Sequence, residues 1–466
     1  MILPRRSLRK PLTEGTYASI LDLGTTCLKT AVCELRPGQA VVLGVGREPL
    51  GDRAALTSQG DYAISPELLA SLCDVALRRA EDMTVTIANQ KIVPDHVVIG
   101  APGDVMCSFS TTIQVKRAKP ESRVGEDELT ALLQRAQRLA ARQLLDHPKA
   151  REQYGRGGWA LTNAMVSELL VDGVRVVDPL RFQGKSLQLT TVSVFVPNAF
   201  QQLLDSLATD LDLQLMRLVA EPFALATCFP AGDAIFLDVG GDRTDVALVR
   251  QGTVAAIASL PLGSRSLTHQ IGQRLGMPFD RAEETKLRRS PAAQATTESL
   301  PTNAAPSDQP SPTRQPPGSR MRTRPATQHP LPTPSDPVAD TIRDFVSAWL
   351  DGLAAILIDV ANHEPLPLRI LLSGGGCQLP ELAPALSSPT WVRRLPFDGL
   401  PDVGVLPARE VRGVVDRTQR LIGPQDVPLL GLARLAAWAD HPETLQDRLL
   451  KKVISGHAVP FGRTMR

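Results

Sequence analysis

Leu237-Asp238-Val239-Gly240-Gly241-Asp242-Arg243-Thr244-Asp245 is the stretch on which the fold turns. An apolar run ends in an aspartate, a glycine turn follows, and a second apolar run begins. That pattern is a strand-turn-strand hairpin with a carboxylate at the end of its first strand. It occurs earlier as Leu21-Asp22-Leu23-Gly24-Thr25-Thr26, and a third glycine cluster, Leu371-Leu372-Ser373-Gly374-Gly375-Gly376, also follows an apolar run. Glycine lets backbone N–H groups approach an anion with no Cβ in the way. An aspartate beside it suits a Mg²⁺ ion that keeps most of its waters. Any one of these segments alone could be an ordinary glycine turn after a buried strand. Together, in this order, they predict an α/β protein of two lobes, with one hairpin per lobe clamping a nucleotide's phosphates.

Composition narrows the function. The 466 residues suggest roughly three domains. At 43% apolar residues, the chain can build substantial cores. Aromatics are only 4% and the net charge is +2, which argues against a stacking platform for single strands and against nucleic acid as a partner. Six scattered cysteines without a C-x-x-C pair read as reduced core thiols, and seven dispersed histidines outline no zinc site. Arg5, Arg6, Arg9 and Lys10 precede no apolar stretch, so no secretory signal is expected. No run approaches the ~18 apolar residues of a membrane span. The expected location is the cytoplasm.

Along the chain, the expected units are a basic arm (1–16), lobe one (17–103 and 186–231), an inserted subdomain (104–185), lobe two (232–289 and 338–440) and a tail (441–466). Strands are expected at 17–23, 29–35, 97–100, 108–115, 162–170 and 187–196, and helices at 66–82, 199–211, 267–275, 280–288 and 339–361. Asn198 is the expected cap of the helix at 199–211. Residues 290–337 hold 12 of the 39 prolines and no Phe, Trp, Tyr, Ile or Val. They cannot bury enough apolar surface to offset ordering entropy, so a disordered linker is expected. Gly184-Lys185-Ser186 ends like a phosphate-binding P-loop, but Pro179 stands where its first glycine belongs. A turn is expected there.

The three glycine segments resemble the actin, sugar-kinase and heat-shock-chaperone ATPase superfamily. Within it the chain resembles the FtsA family, which links the tubulin-like division ring to the bacterial membrane. The position of the insert between the two hairpins carries this resemblance. So do Arg217-Leu218-Val219-Ala220-Glu221-Pro222, the segment from Leu262-Gly263-Ser264 to Lys286, and the segment from Gly423-Pro424 to Ala433.

The resemblance implies ATP and Mg²⁺ as cofactors. Asp22, Gly24, Thr25 and Thr26 would hold one side of the phosphates. Asp238, Gly240, Gly241, Thr244 and Asp245 would hold the other, with Asp22 and Asp238 reaching Mg²⁺ through water. Glu221 matches the family's water-orienting acid, and it is also open to reading as a strand end before Pro222. Glu283 and Lys286 would lie near ribose and base, although Lys286 could equally be a solvated lysine. Gly374, Gly375 and Gly376 would pack flat against adenine. The implied partners are the tubulin-like protein FtsZ, further copies of the chain, and the inner membrane surface through the tail.

The chain departs from the family in three places. Asp242 and Arg243 replace a Gly and a Thr of the second turn, which makes hydrolysis weak or absent and leaves Arg243 to offset the charge of Asp242. The proline-rich tract occupies the stretch of the family's outer lobe-two subdomain. Residues 443–455 place Leu445, Leu449, Leu450, Val453 and Ile454 on one side of a helix, opposite Arg448, Lys451 and Lys452. That stripe suits either a membrane surface or the protein's own surface. Two other functions stay open: a type IV pilus scaffold resembling PilM, and a small-molecule kinase of the same fold.

Overall fold

A computed structural model describes residues 16–52, 65–148, 150, 158–229, 232–288, 336–438, 448–449 and 453. The proline-rich tract, except for its last two residues, lies outside them. So do the N-terminal arm and most of the tail.

Two sheets share one topology. The first is built from β1 (Thr16–Leu23), β2 (Cys27–Arg36), β3 (Gln39–Pro49), β4 (His96–Ala101), β9 (Gln214–Ala220) and β15 (Val414–Asp416), in the order β15-β3-β2-β1-β4-β9. β1, β2 and β3 form an antiparallel meander, and β4 then runs parallel to β1. The second sheet repeats this plan with β10 (Ala234–Val239), β11 (Thr244–Arg250), β12 (Thr253–Leu260), β13 (Arg369–Ser373) and β14 (Asp402–Val405), in the order β12-β11-β10-β13-β14. Here β10, β11 and β12 are the meander and β13 runs parallel to β10. β1 and β10 are central and covered on both faces, which is why each reads as a continuous apolar run.

Helix α1 (Pro66–Ala88) is started by Ser65, whose side chain accepts from the Leu68 N–H at 3.2 Å, and ends at left-handed Asn89. The later helices of lobe one are α3 (Asn198–Asp210) and α4 (Glu221–Thr227). Lobe two carries α5 (Ser264–Leu275), α6 (Phe279–Leu287) and α7 (Pro337–Ala361). Asp336 caps α7 by accepting from the Val338 N–H at 2.9 Å. The linker expected at 290–337 therefore stops short of Asp336, because Pro337 suits the first helical position. Trp349 and Phe345 of α7 are fully buried against one face of the second sheet. Asn198 is not a cap: it is the first residue of α3, Pro197 holds the cap position, and the Asn198 N–H bonds to Gly158 O at 2.9 Å.

Two of the expected boundaries move. The insert has its own sheet, β5-β8-β6-β7, built from β5 (Cys107–Lys116), β6 (Trp159–Val171), β7 (Val174–Arg175) and β8 (Ser186–Pro197), together with α2 (Glu126–Asp146). β8 pairs with β5 and β6 over its whole length, so it belongs to the insert and not to lobe one. The chain also leaves lobe two before 440: β15 pairs with β3, and α8 (Val427–Trp438) packs in the core of lobe one. A strand's sheet is set by distant pairing, which local pattern does not reveal. Gly184-Lys185-Ser186 forms a turn held by Asp172, whose carboxylate accepts from the Lys185 and Ser186 N–H groups at 2.8 and 2.7 Å.

Candidate functional site

A cavity of about 380 Å³ lies between the two sheets, at the carboxyl ends of β1, β10 and β13. Asp22 and Asp238 occupy equivalent places at the ends of β1 and β10, yet their cross-strand partners differ. Asp22 stands opposite Lys29, and Nζ meets Oδ2 at 2.8 Å. Asp238 stands opposite Asp245. Burial alone would lower the pKa of Lys29, but the charge and hydrogen bond of Asp22 outweigh it and raise the pKa overall. Burial, then the charge of Asp245, push Asp238 up to about 7, opposed by Lys29. Glu221, the first residue of α4, is driven well above the usual carboxylate range by burial and by the charges of Asp22, Asp245 and Asp238.

Asp22, Glu221, Asp238 and Asp245 thus line the cavity beside Lys29, with Arg47, Arg243 and the Glu283–Lys286 pair also on its wall. One oxygen of Glu221, Oε1, is buried with no hydrogen-bond partner. No group of three such side chains among the described residues converges to ligate a bare metal. An orphaned oxygen within an acidic, proton-hungry cluster fits a hydrated divalent cation, which several carboxylates can reach through its waters.

The glycine turns are forced by close approach. A Cβ on Gly24 would lie 2.6 Å from the Cys27 carbonyl oxygen. A Cβ on Gly241 would lie 2.5 Å from Thr26 Cγ2 and 2.6 Å from Thr25 Oγ1. The two turns therefore touch across the cleft. The Asp242 N–H donates to Thr25 Oγ1 at 3.1 Å, and Arg265 donates to Thr25 O at 3.0 Å. Gly374 has φ +83°, and a Cβ there would strike the Asp238 carboxylate and the Val239 carbonyl. With Gly375 and Gly376, which open a short helical turn, it lines the cavity together with Leu287, Leu379 and Pro428. Such a lining suits a planar ring. Lys286 is buried rather than solvated: Nζ meets Glu283 at 2.7 Å, Thr268 Oγ1 at 2.8 Å and Ser264 O at 3.1 Å.

Asp22, Gly24, Thr25, Thr26, Glu221, Asp238, Gly240, Gly241, Asp245, Glu283, Lys286 and the three glycines all line one cavity. Thr244 does not join them. Its hydroxyl is fully buried, donates to Leu262 O at 2.9 Å and accepts from Trp349 Nε1 at 2.8 Å. It anchors α7 to the sheet because the side chain of a strand's first residue points to only one face. Arg243 offsets Asp242 only from a distance, after Arg265, which lies 3.7 Å from that carboxylate. Arg243 forms a buried ion pair with Asp104, at the root of the insert, so it links the second turn to the opposite lobe. The neighbouring Gly103 N–H donates to Asp245 Oδ2 at 3.2 Å.

Lys29 and Arg47 also line the cavity and escaped the sequence reading. Lys29 carried a signal, the one charge in the mainly apolar stretch 27–33. Arg47 carried none, since its partner Asp426, at 2.6 Å, lies 379 residues away.

The family model "Cell division protein FtsA" matches residues 235–423. The chain is 24% identical over 283 residues to the cell division protein FtsA of Neisseria meningitidis serogroup B; the match covers 58% of this chain and 61% of that protein. Among solved structures, the PilM-PilN type IV pilus biogenesis complex superposes with a TM-score of 0.57 at 17% identity, covering 92% of this chain and 99% of that one. This structural likeness speaks for the fold alone.

Proposed function

We propose that this FtsA-like chain, of the actin and heat-shock-chaperone ATPase superfamily, is an ATP-binding scaffold that links the tubulin-like ring of FtsZ to the cytoplasmic membrane in cell division. The observation that carries the nucleotide part is the acidic cleft at the ends of β1 and β10, walled by Gly374–Gly376. The match to the FtsA family over 235–423 supports the division role. The phosphates would rest on Gly24, Thr25 and Thr26 from one lobe and Gly240 and Gly241 from the other. Mg²⁺, when bound, supplies positive charge that neutralises the polyphosphate. Asp22 and Asp238 would reach that ion through its waters. Lys29, kept protonated by Asp22, would face phosphate oxygens. Glu283 and Lys286 would border the ribose and base.

Glu221 would orient the attacking water, but without a bound metal ion its carboxyl leans to the protonated form, and a protonated acid is a poor base. Turnover is therefore expected to be slow, and nucleotide to act as a conformational ligand. The tested prediction is partner recovery. The tagged chain, drawn from its host's lysate with Mg-ATP, should bring FtsZ with it, and less so without nucleotide. Recovery of pilus proteins and no FtsZ would replace this reading with a pilus scaffold.

A further inference from the structure

The insert has one apolar layer between α2 and its sheet, formed by Ile113, Leu129, Leu132, Leu169, Val171 and their neighbours. Two residues from the far end of the chain sit in that layer. Leu449 is 4% exposed and Val453 is 3% exposed, and both belong to this cluster. Both have helical backbone, and they stand four positions apart, the spacing of neighbours on one face of a helix. Arg448, adjacent in sequence, is exposed. This places the two apolar residues inward and the basic one outward, as an amphipathic segment docked on a protein surface would.

We propose that the C-terminal segment is the insert's own cover. Leu449 and Val453 complete the insert's core within the same molecule, so these two residues are occupied and the membrane contact of the proposed function falls to other residues. The covered surface and its occupant are both on this chain. The chain reaches the insert after α8, which is packed in lobe one. Docking of Leu449 and Val453 thus adds a third tie between lobe one and the insert, beside the two chain crossings at β5 and β8. The inference does not depend on nucleotide binding.

Amide hydrogen exchange on the full chain tests it. The double variant Leu449→Asp/Val453→Asp should exchange roughly tenfold or more faster in α2 and β6, with β10 and β13 unchanged. A chain ending at residue 440 should show the same pattern. Leu449→Ala provides a milder version if either variant loses its cooperative melting transition. Equal exchange in α2 and β6 for wild type and variants would overturn the proposal. So would flotation of the wild type with phosphatidylglycerol vesicles that is lost in the double variant, because the stripe would then be facing lipid.

Discussion

The two glycine hairpins are near copies in topology, but one is balanced in charge and the other is acidic. In the first, Asp22 faces Lys29 across the strand pair and the turn is neutralised from within. In the second, Asp238 faces Asp245, so the turn carries like charges and leans toward protonation. Arg243 of the second turn is paired with Asp104, so no cation stands opposite Asp238 as Lys29 stands opposite Asp22. A Mg²⁺-bound polyphosphate is the ligand we propose for that asymmetry, with Asp22 and Asp238 reaching the ion through water and Lys29 facing phosphate oxygens.

Lys29→Met should break the comparison most severely, by making the first turn as unbalanced as the second. Removing one partner of a buried ion pair costs about 3–5 kcal/mol. Chemical denaturation should show a loss of that order, and a loss under about 1 kcal/mol would mean that the pair is solvent-relaxed. Asp104→Ala tests the link between the second turn and the opposite lobe. It strands the buried Arg243 guanidinium and should cost about 3 kcal/mol by the same measurement.

Thr244→Val sharpens the account of the second hairpin. It leaves the Trp349 indole N–H and the Leu262 carbonyl without their partner, which should cost about 1–3 kcal/mol. Nucleotide affinity should be unchanged, and a matched loss of affinity would return Thr244 to the cleft. The second hairpin also sets a slope of stability against pH. Asp238 titrates near 7 when folded against an ordinary 3.8, so its protonated form is favoured by folding. Its stabilising contribution is full below pH 3.8 and is lost as pH rises through about 7. Glu221 pushes in the same direction. Without nucleotide, Tm should fall over that window, and Asp238→Asn should flatten the fall.

The fold was legible because central strands announce themselves. β1, β10 and β13 are apolar runs that end in Asp or Ser before glycine, and each was readable without its neighbours. What stayed hidden depended on pairing between distant residues. β8 has a strand's alternation, but only its ladders to β5 and β6 assign it to the insert. β15 and α8 return to lobe one through contacts across most of the chain. At the site, glycines and aspartates were visible from local pattern. Thr244 was misplaced because its role rests on Trp349, 105 residues on, and Arg243 because its partner Asp104 precedes it by 139. The expected disorder of the proline-rich tract and most of the expected tail helix lie outside the described residues.

The central claim is that the unbalanced second hairpin exists to meet a metal-bound nucleotide. Calorimetric titration of the full chain with ATP, with and without Mg²⁺, tests it most directly when repeated on Asp238→Ala. The account predicts saturable binding that needs Mg²⁺ and weakens about tenfold or more in the variant. Absence of binding to the wild type, or binding indifferent to both Mg²⁺ and Asp238, would contradict it.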